Sequence, residues 1–240
     1  LLCIYKENVA ALTKYVILMK ELGEPQKGLD LIGNAYSDNM TSSALQLLYA
    51  KALYTNGEHE NLFSIFNKNV LNENTLDGIW TLLSNMQVKL KKLEKAEDIL
   101  KKWLFLQPNN RNAHLQLILL NDAMNNSENA IILISQASQK FPNYQQFKVL
   151  NVYFYLKSES LPQAKVAFEQ LPSNIKSSFI GKGFQGQILL LEGNFKKAAP
   201  LLEEYYTASP TYVNATLYAK ALKSDNRINE AVIFIRTHIA

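Results

Sequence analysis

The 240-residue chain is poor in the residues that most often carry chemistry. It has one cysteine, Cys3, three histidines and two tryptophans. A single thiol excludes an internal disulfide framework and any metal site built on several cysteines. Nine glycines and seven prolines in a chain that is 48% hydrophobic exclude collagen-like and low-complexity architectures. No apolar run approaches the ~18 residues needed to span a bilayer, and the opening Leu1-Leu2-Cys3-Ile4-Tyr5 lacks the basic start of a signal peptide. Twenty-five basic against 21 acidic residues leave a formal charge of +4. That is far from the dense positive field on which phosphate-binding proteins depend, so nucleic acid is an unlikely partner.

What the chain does have is a period. Pro108, Pro142 and Pro210 stand 34 and then 68 residues apart, and twelve residues before each comes an alanine: Ala96, Ala130 and Ala198. The same phase selects Ala164, then Gly28 and Leu62 going backward, and Ala231 after a one-residue deletion. Seven blocks result, at about 9–42, 43–76, 77–110, 111–144, 145–178, 179–211 and 212–240. Five residues ahead of the alanine position stand Gly23, Gly57, Asn125, Gly193 and Asn226, types that tolerate positive φ in a turn, with Lys91 and Glu159 as departures. On either side, apolar residues recur at three- and four-residue spacing, as in Leu93 to Leu104, and no convincing period-two strand appears. Each block therefore predicts two helices and a short turn. Such a pair cannot bury both its apolar faces alone, so successive blocks must stack.

This pattern resembles the tetratricopeptide repeat. Trp80, Leu83, Ser84, Ala96, Leu100 and Pro108 match its positions in the third block; Leu117, Ala130, Ile134, Ala137 and Pro142 match in the fourth; Gly186, Leu189, Gly193, Ala198, Leu202 and Pro210 match in the sixth. Gln87 and Asn121 replace the usual tyrosine, and Trp103, Leu171 and Tyr205 are large where a second alanine is usual. The resemblance implies an all-α, right-handed α-solenoid of about seven 34-residue helix-turn-helix repeats, one array over 9–240. Residues 1–8 read as the tail of a preceding repeat helix, and the absence of a starting Met suggests a piece of a longer chain. Pro200, inside a second helix, should bend or delay it.

The chemical motifs are thin. Gly181-Lys182-Gly183-Phe184-Gln185-Gly186 spells G-x-G-x-x-G, but a dinucleotide turn needs a preceding strand, and here the motif opens a repeat helix. His59, placed in a turn, and His114 and His238 are too far apart to suggest a metal site, and no G-x-S-x-G nucleophile elbow is present. Lys89, Lys91, Lys92, Lys95, Lys101 and Lys102 alternate with Glu94, Glu97 and Asp98, which reads as a solvated helix face. No enzyme activity, cofactor or metal is expected.

In tetratricopeptide proteins the concave groove is lined by the second, fifth, ninth and twelfth positions of each first helix. By register, the resemblance assigns a partner-binding groove to Leu47, Lys51, Tyr54, Asn85, Leu119, Asp122, Tyr153, Leu156, Gln187 and Lys220. This mixture suits a protein or peptide partner. The family's two-carboxylate clamp is not expected, because it needs Lys and Asn together at the fifth and ninth positions of one block, where Thr13 and Ile17, Leu47 and Lys51, or Thr81 and Asn85 stand. The expected function is a non-catalytic scaffold; the alternatives are an RNA-binding helical repeat or the recruiting part of a larger enzyme. Leu100-Lys101-Lys102-Trp103-Leu104, with Gln107-Pro108-Asn109-Asn110 and Leu171-Pro172, also resembles bacterial exosortase-associated (PEP-CTERM) repeat lipoproteins. That likeness implies a role in exopolysaccharide export or protein sorting on the periplasmic side of a membrane; without it, a cytoplasmic protein is expected. Exposed end helices make a homodimer a further expectation.

Overall fold

The computed structural model describes residues 8–67 and 71–238. Among them are fifteen helices and no strand. The chain forms two compact units that divide between Met124 and Asn125, inside the fourth block. The first unit holds α1 (Val9–Glu21), α2 (Pro25–Asp38), α3 (Ser43–Thr55), α4 (His59–Asn67), α5 (Asp77–Lys89), α6 (Leu93–Leu106) and α7 (Arg111–Ala123). The second holds α8 (Ser127–Lys140), α9 (Gln145–Lys157), α10 (Leu161–Glu169), α11 (Ser173–Lys176), α12 (Phe179–Leu191), α13 (Phe195–Ala208), α14 (Tyr212–Ser224) and α15 (Ile228–His238). No helix among the described residues is long and apolar enough to cross a membrane. Cys3, Ile239, Ala240 and the expected helix tail before Asn8 lie outside the described residues.

The first helix of every block begins at the residue where the sequence register starts that block, from Val9 to Tyr212, and each runs for 13 residues. Local chemistry explains the starts. Asn8, Ser42, Asn110, Ser178 and Thr211 each accept from a backbone N–H in the first turn of the helix that follows, which satisfies donors that the helix itself leaves open.

The ends are equally uniform. Gly23, Gly57, Lys91, Asn125, Glu159, Gly193 and Asn226 all have φ between +54° and +79°. Lys91 and Glu159, which are neither Gly nor Asn, therefore adopt the same left-handed turn as the other five. In six of these turns two backbone N–H groups fold back onto the helix, as Gly23 N–H donates to Lys20 O and Glu24 N–H to Met19 O. This double closure caps the last carbonyls and aims the chain into the second helix.

The alanine position then sets how closely each second helix packs. Ala96, Ala130, Ala164 and Ala198 are fully buried, as is Leu62, and Ala231 nearly so. At Gly28 a methyl group would lie 3.3 Å from Val16 Cα, so α2 meets α1 almost backbone to backbone. Each unit builds its core by this nearest-neighbour stacking. In the first, Trp80 of α5 and Trp103 of α6 are fully buried and stacked with centroids 6.0 Å apart. Tyr36, Tyr49 and Phe66 form a second aromatic contact between its first two blocks. In the second unit, Val152, Ala164, Phe168, Leu171 and Phe184 form one cluster, and Ala198, Leu202, Tyr218 and Leu222 another.

Two prolines act differently. Pro172 ends the second helix of the fifth block, which is split into α10 and the four-residue α11; Pro172 disfavours helical geometry at Leu171 and begins a new turn as the N-cap of α11. Pro200 does not delay or interrupt its helix: α13 runs unbroken through it for 14 residues, the same length as α2, α6 and α8. The expected irregularity is not a break because one absent N–H near the start of a long, well-packed helix is offset by burial of Ala198, Ala199 and Leu202 around it.

The turns give a paired test. A methyl group at Gly193 would meet only Phe195, at 4.0 Å, so Gly193→Ala should lose about 1–2 kcal/mol through backbone conformation alone. Glu159→Gly should gain up to about 1 kcal/mol. Urea unfolding of both variants measures the difference. A second expectation concerns high pH. Burial, followed by the nearby Glu203, pushes the Tyr218 hydroxyl up to about 12. The folded state therefore keeps this proton where the unfolded chain releases it, and stability falls as pH rises from about 10 to 12. Tyr218→Phe should flatten that part of the profile in alkaline unfolding followed by circular dichroism.

Candidate functional site

The register makes the first helices comparable position by position. At the ninth position stand Ile17, Lys51, Asn85 and Leu119 in the first unit, and all four are exposed. In the second unit the same position holds Tyr153 and Lys220, both exposed, and Gln187, half-buried with its amide Nε2 donating to Gly183 O at 3.4 Å. From α3 onward the residues on either side of this position in each first helix are buried, whereas in α1 Leu18 is exposed beside Ile17.

The other groove residues divide. Leu47 is half-buried, and its side chain lies over Gly78 of α5, where a methyl group would come within 2.6 Å of it. It fills the seam between two first helices. Tyr54 is half-buried at the end of α3, with Lys89 Nζ 5.7 Å above its ring and the His59 ring 6.1 Å away. Asp122 is half-buried on α7. Leu156 is 6% exposed and belongs to the core cluster with Val152 and Phe184, which leaves it little surface to offer a partner. Tyr153 packs edge-on against Phe154 at 5.1 Å and carries Lys157 Nζ 6.0 Å from its ring.

The G-x-G-x-x-G segment has a packing role. It lies on α12, where a methyl group at Gly181 would collide with the Ile175 and Lys176 carbonyl oxygens, one at Gly183 with the Tyr205 ring at 2.6 Å, and one at Gly186 with Leu202 at 2.8 Å. Lys182 is ion-paired with Glu204. The glycines thus let α11 and α13 approach α12. Tyr205, too large for the usual second alanine, fits because Gly183 faces it. Trp103, also large at that register position, is accommodated by stacking on Trp80 and donating from its indole N–H to Gln107 Oε1 at 2.9 Å.

The histidines are separate. His114 Nε2 lies 3.1 Å from Pro108 O. His238 packs against Phe234 and Tyr206. His59 is the first residue of α4, not a turn residue. No group of three or more potential metal ligands occurs among the described residues.

Sequence reasoning missed a cleft in the first unit. Its volume is about 560 Å³, and it lies among α4, the end of α5 and the start of α6, lined in part by His59, Phe63, Met86, Gln87, Lys92 and Lys95. His59 Nε2 and Gln87 Oε1 are buried there without a hydrogen-bond partner. Each such group costs about 1–3 kcal/mol. The available signal was register: at the eleventh position of the first helices stand Met19, Leu53, Tyr155, Leu189 and Leu222, and only Gln87 and Asn121 are amides. Asn121 donates to Leu117 O at 2.9 Å, within its own helix. The lysine stretch divides as well: Lys101 pairs with Glu97 at 3.0 Å, Lys89 covers Tyr54, and Lys92 and Lys95 edge the cleft.

With these features described, the comparisons with known proteins fix the fold. A tetratricopeptide-repeat protein from Parabacteroides merdae superposes with a TM-score of 0.66 over 96% of this chain and 91% of its own, at 14% identity. This chain has the tetratricopeptide-repeat fold. Pseudomonas aeruginosa PilF gives a TM-score of 0.59 over 86% of this chain and 94% of its own, at 12% identity. The anaphase-promoting complex hetero-tetramer Cut9–Hcn1 gives 0.62 over 89% of this chain and 42% of its own, at 10% identity. The model of a family described as anaphase-promoting complex, cyclosome, subunit 3 matches residues 26–103, less than half of the chain. No curated protein matches the sequence.

The glycine packing of this tetratricopeptide fold is open to a double substitution. Gly183→Ala should lose about 1–3 kcal/mol by overpacking against Tyr205. In a Tyr205→Ala background, which itself removes a half-buried ring, the additional loss should disappear. Thermal unfolding of the four members of the cycle measures the coupling.

Proposed function

We propose that the chain is a non-catalytic scaffold whose first-helix faces bind a protein or peptide. The observation that carries this is the ninth-position row, which is exposed at six of its seven places; at five of these, Lys51, Asn85, Leu119, Tyr153 and Lys220, the residues on either side in sequence are buried. In each unit it mixes an aliphatic or aromatic group with a cation: Ile17, Lys51 and Leu119 in the first, Tyr153 and Lys220 in the second. A surface that combines flat apolar area with separated charges suits side chains of another polypeptide better than a phosphate backbone. Tyr54 and Asp122 flank this row in the first unit.

A place in exopolysaccharide export or protein sorting rests on the sequence likeness alone. The residues that carry it have structural roles: Trp103 is core, Gln107 Nε2 donates to Glu73 O and Thr75 O, and Asn110 caps α7. Self-association would use the apolar surface of α15, where Ile228, Val232, Ile233 and Ile235 are exposed.

The test begins with a partner captured on the immobilised chain at high salt after nuclease treatment. Its affinity should drop about 10-fold or more with Tyr153→Ala or Lys51→Ala, at unchanged melting temperature. Unaltered affinity in both variants would refute the ninth-position face. Recovery of nucleic acid that washes off with salt would replace the scaffold by the RNA-binding alternative.

A further inference from the structure

The cleft lined by His59 and Gln87 brings three kinds of chemistry together. Gln87 is only 4% exposed, and its Oε1 and the Nε2 of His59 are closed to solvent and have no hydrogen-bond partner. Apolar walls follow, from Phe63, Met86 and Leu90. At the rim stand Lys92 and Lys95, both exposed and neither in an ion pair among the described residues, with the carboxylate of Glu60 as the single opposing charge in the lining. Two helix starts, those of α4 at His59 and α6 at Leu93, also meet this cleft and add their positive dipole ends. The volume falls within the range of small-molecule sites.

The structure assigns this cleft, we propose, as a binding site for a small organic acid: a carboxylate on an apolar ring or chain, with a hydroxyl donor at its far end. The carboxylate meets Lys92 and Lys95, the body lies against Phe63, Met86 and Leu90, and the hydroxyl donates to Gln87 Oε1 while His59 Nε2 completes its hydrogen bonding. A buried acceptor left unpaired discriminates strongly in favour of a ligand that supplies the missing donor. Register supports a role for Gln87 that is not packing, because five of the seven repeats place an apolar or aromatic side chain at the same position and the other amide, Asn121, bonds to its own helix. Tyr54, which flanks the first-helix row, packs 6.1 Å from the His59 ring, but the acid site does not depend on the scaffold reading.

The experiment uses the whole 240-residue chain, isotope-labelled, with three probes followed by amide resonance shifts: 4-hydroxyphenylacetate, phenylacetate and tyramine. 4-Hydroxyphenylacetate should shift resonances within 57–64 and 86–95 and bind about 10-fold more tightly than phenylacetate, which lacks the donor. Tyramine, with the same ring and hydroxyl on a cation, should not bind. Gln87→Leu should make the two acids equal, and it should fold, since Leu53, Leu189 and Leu222 fill that position in other repeats. Lys92→Gln combined with Lys95→Gln should weaken both acids alike. No shifts at millimolar acid, shifts elsewhere in the chain, equal binding of all three probes, or a preference for the hydroxyl that survives Gln87→Leu would each overturn the assignment.

Discussion

Everything in this fold follows from one constraint: a pair of 13- or 14-residue helices has more apolar surface than the pair can bury. Each second helix covers one side of its partner through a buried residue at the alanine position, small in six of the seven blocks, and the remaining apolar stripe has to be covered by the next block. The left-handed turn residue makes that possible at every step, because it closes the last carbonyls of the first helix and sends the second back at a repeatable angle. Spacing therefore matters more than residue identity. Lys91 and Glu159 accept the strain of positive φ because the stacking on both sides fixes the backbone there.

Most of the local structure was legible in the sequence because it is governed by short-range chemistry. The block starts at Val9, Ser43, Asp77, Arg111, Gln145, Phe179 and Tyr212 are helix starts, and the caps and turn residues that mark them act within a few residues of their position. What could not be read depends on contacts between helices. Tyr205 looks like an error at its own position and becomes a fit only when Gly183 is placed opposite it. Pro200 looks like a helix breaker, yet the packing of α13 carries the helix through it. Leu156 shares a register position with Tyr54 and Asp122 but is core, as is Leu190 at the same position of the next block, because each joins the cluster formed with the second helices beside it. The division between Met124 and Asn125 leaves no trace in the period, which runs through it unchanged.

The surface chemistry separates along the same lines. Six of the seven ninth-position residues are exposed, and within each unit they mix apolar and basic groups. Gln87 sits where packing should dictate an apolar residue, so its burial has a cost that the fold does not return. The two features differ physically: one is a tolerance of the repeat, the other a departure from it. Departures of this kind are where function is most economically sought in a repetitive structure.

Whether each helix is held only by its immediate neighbours within its unit can be measured by native-state hydrogen exchange along the chain. Nearest-neighbour stacking gives a definite expectation. It predicts graded protection. The amides of α12 and α13, locked together by Gly183 and Gly186, should exchange most slowly. Those of α15, where Ala231 alone is buried, should exchange through a smaller, local opening. Uniform protection from α8 through α15, with all amides exchanging by one common opening, would contradict it.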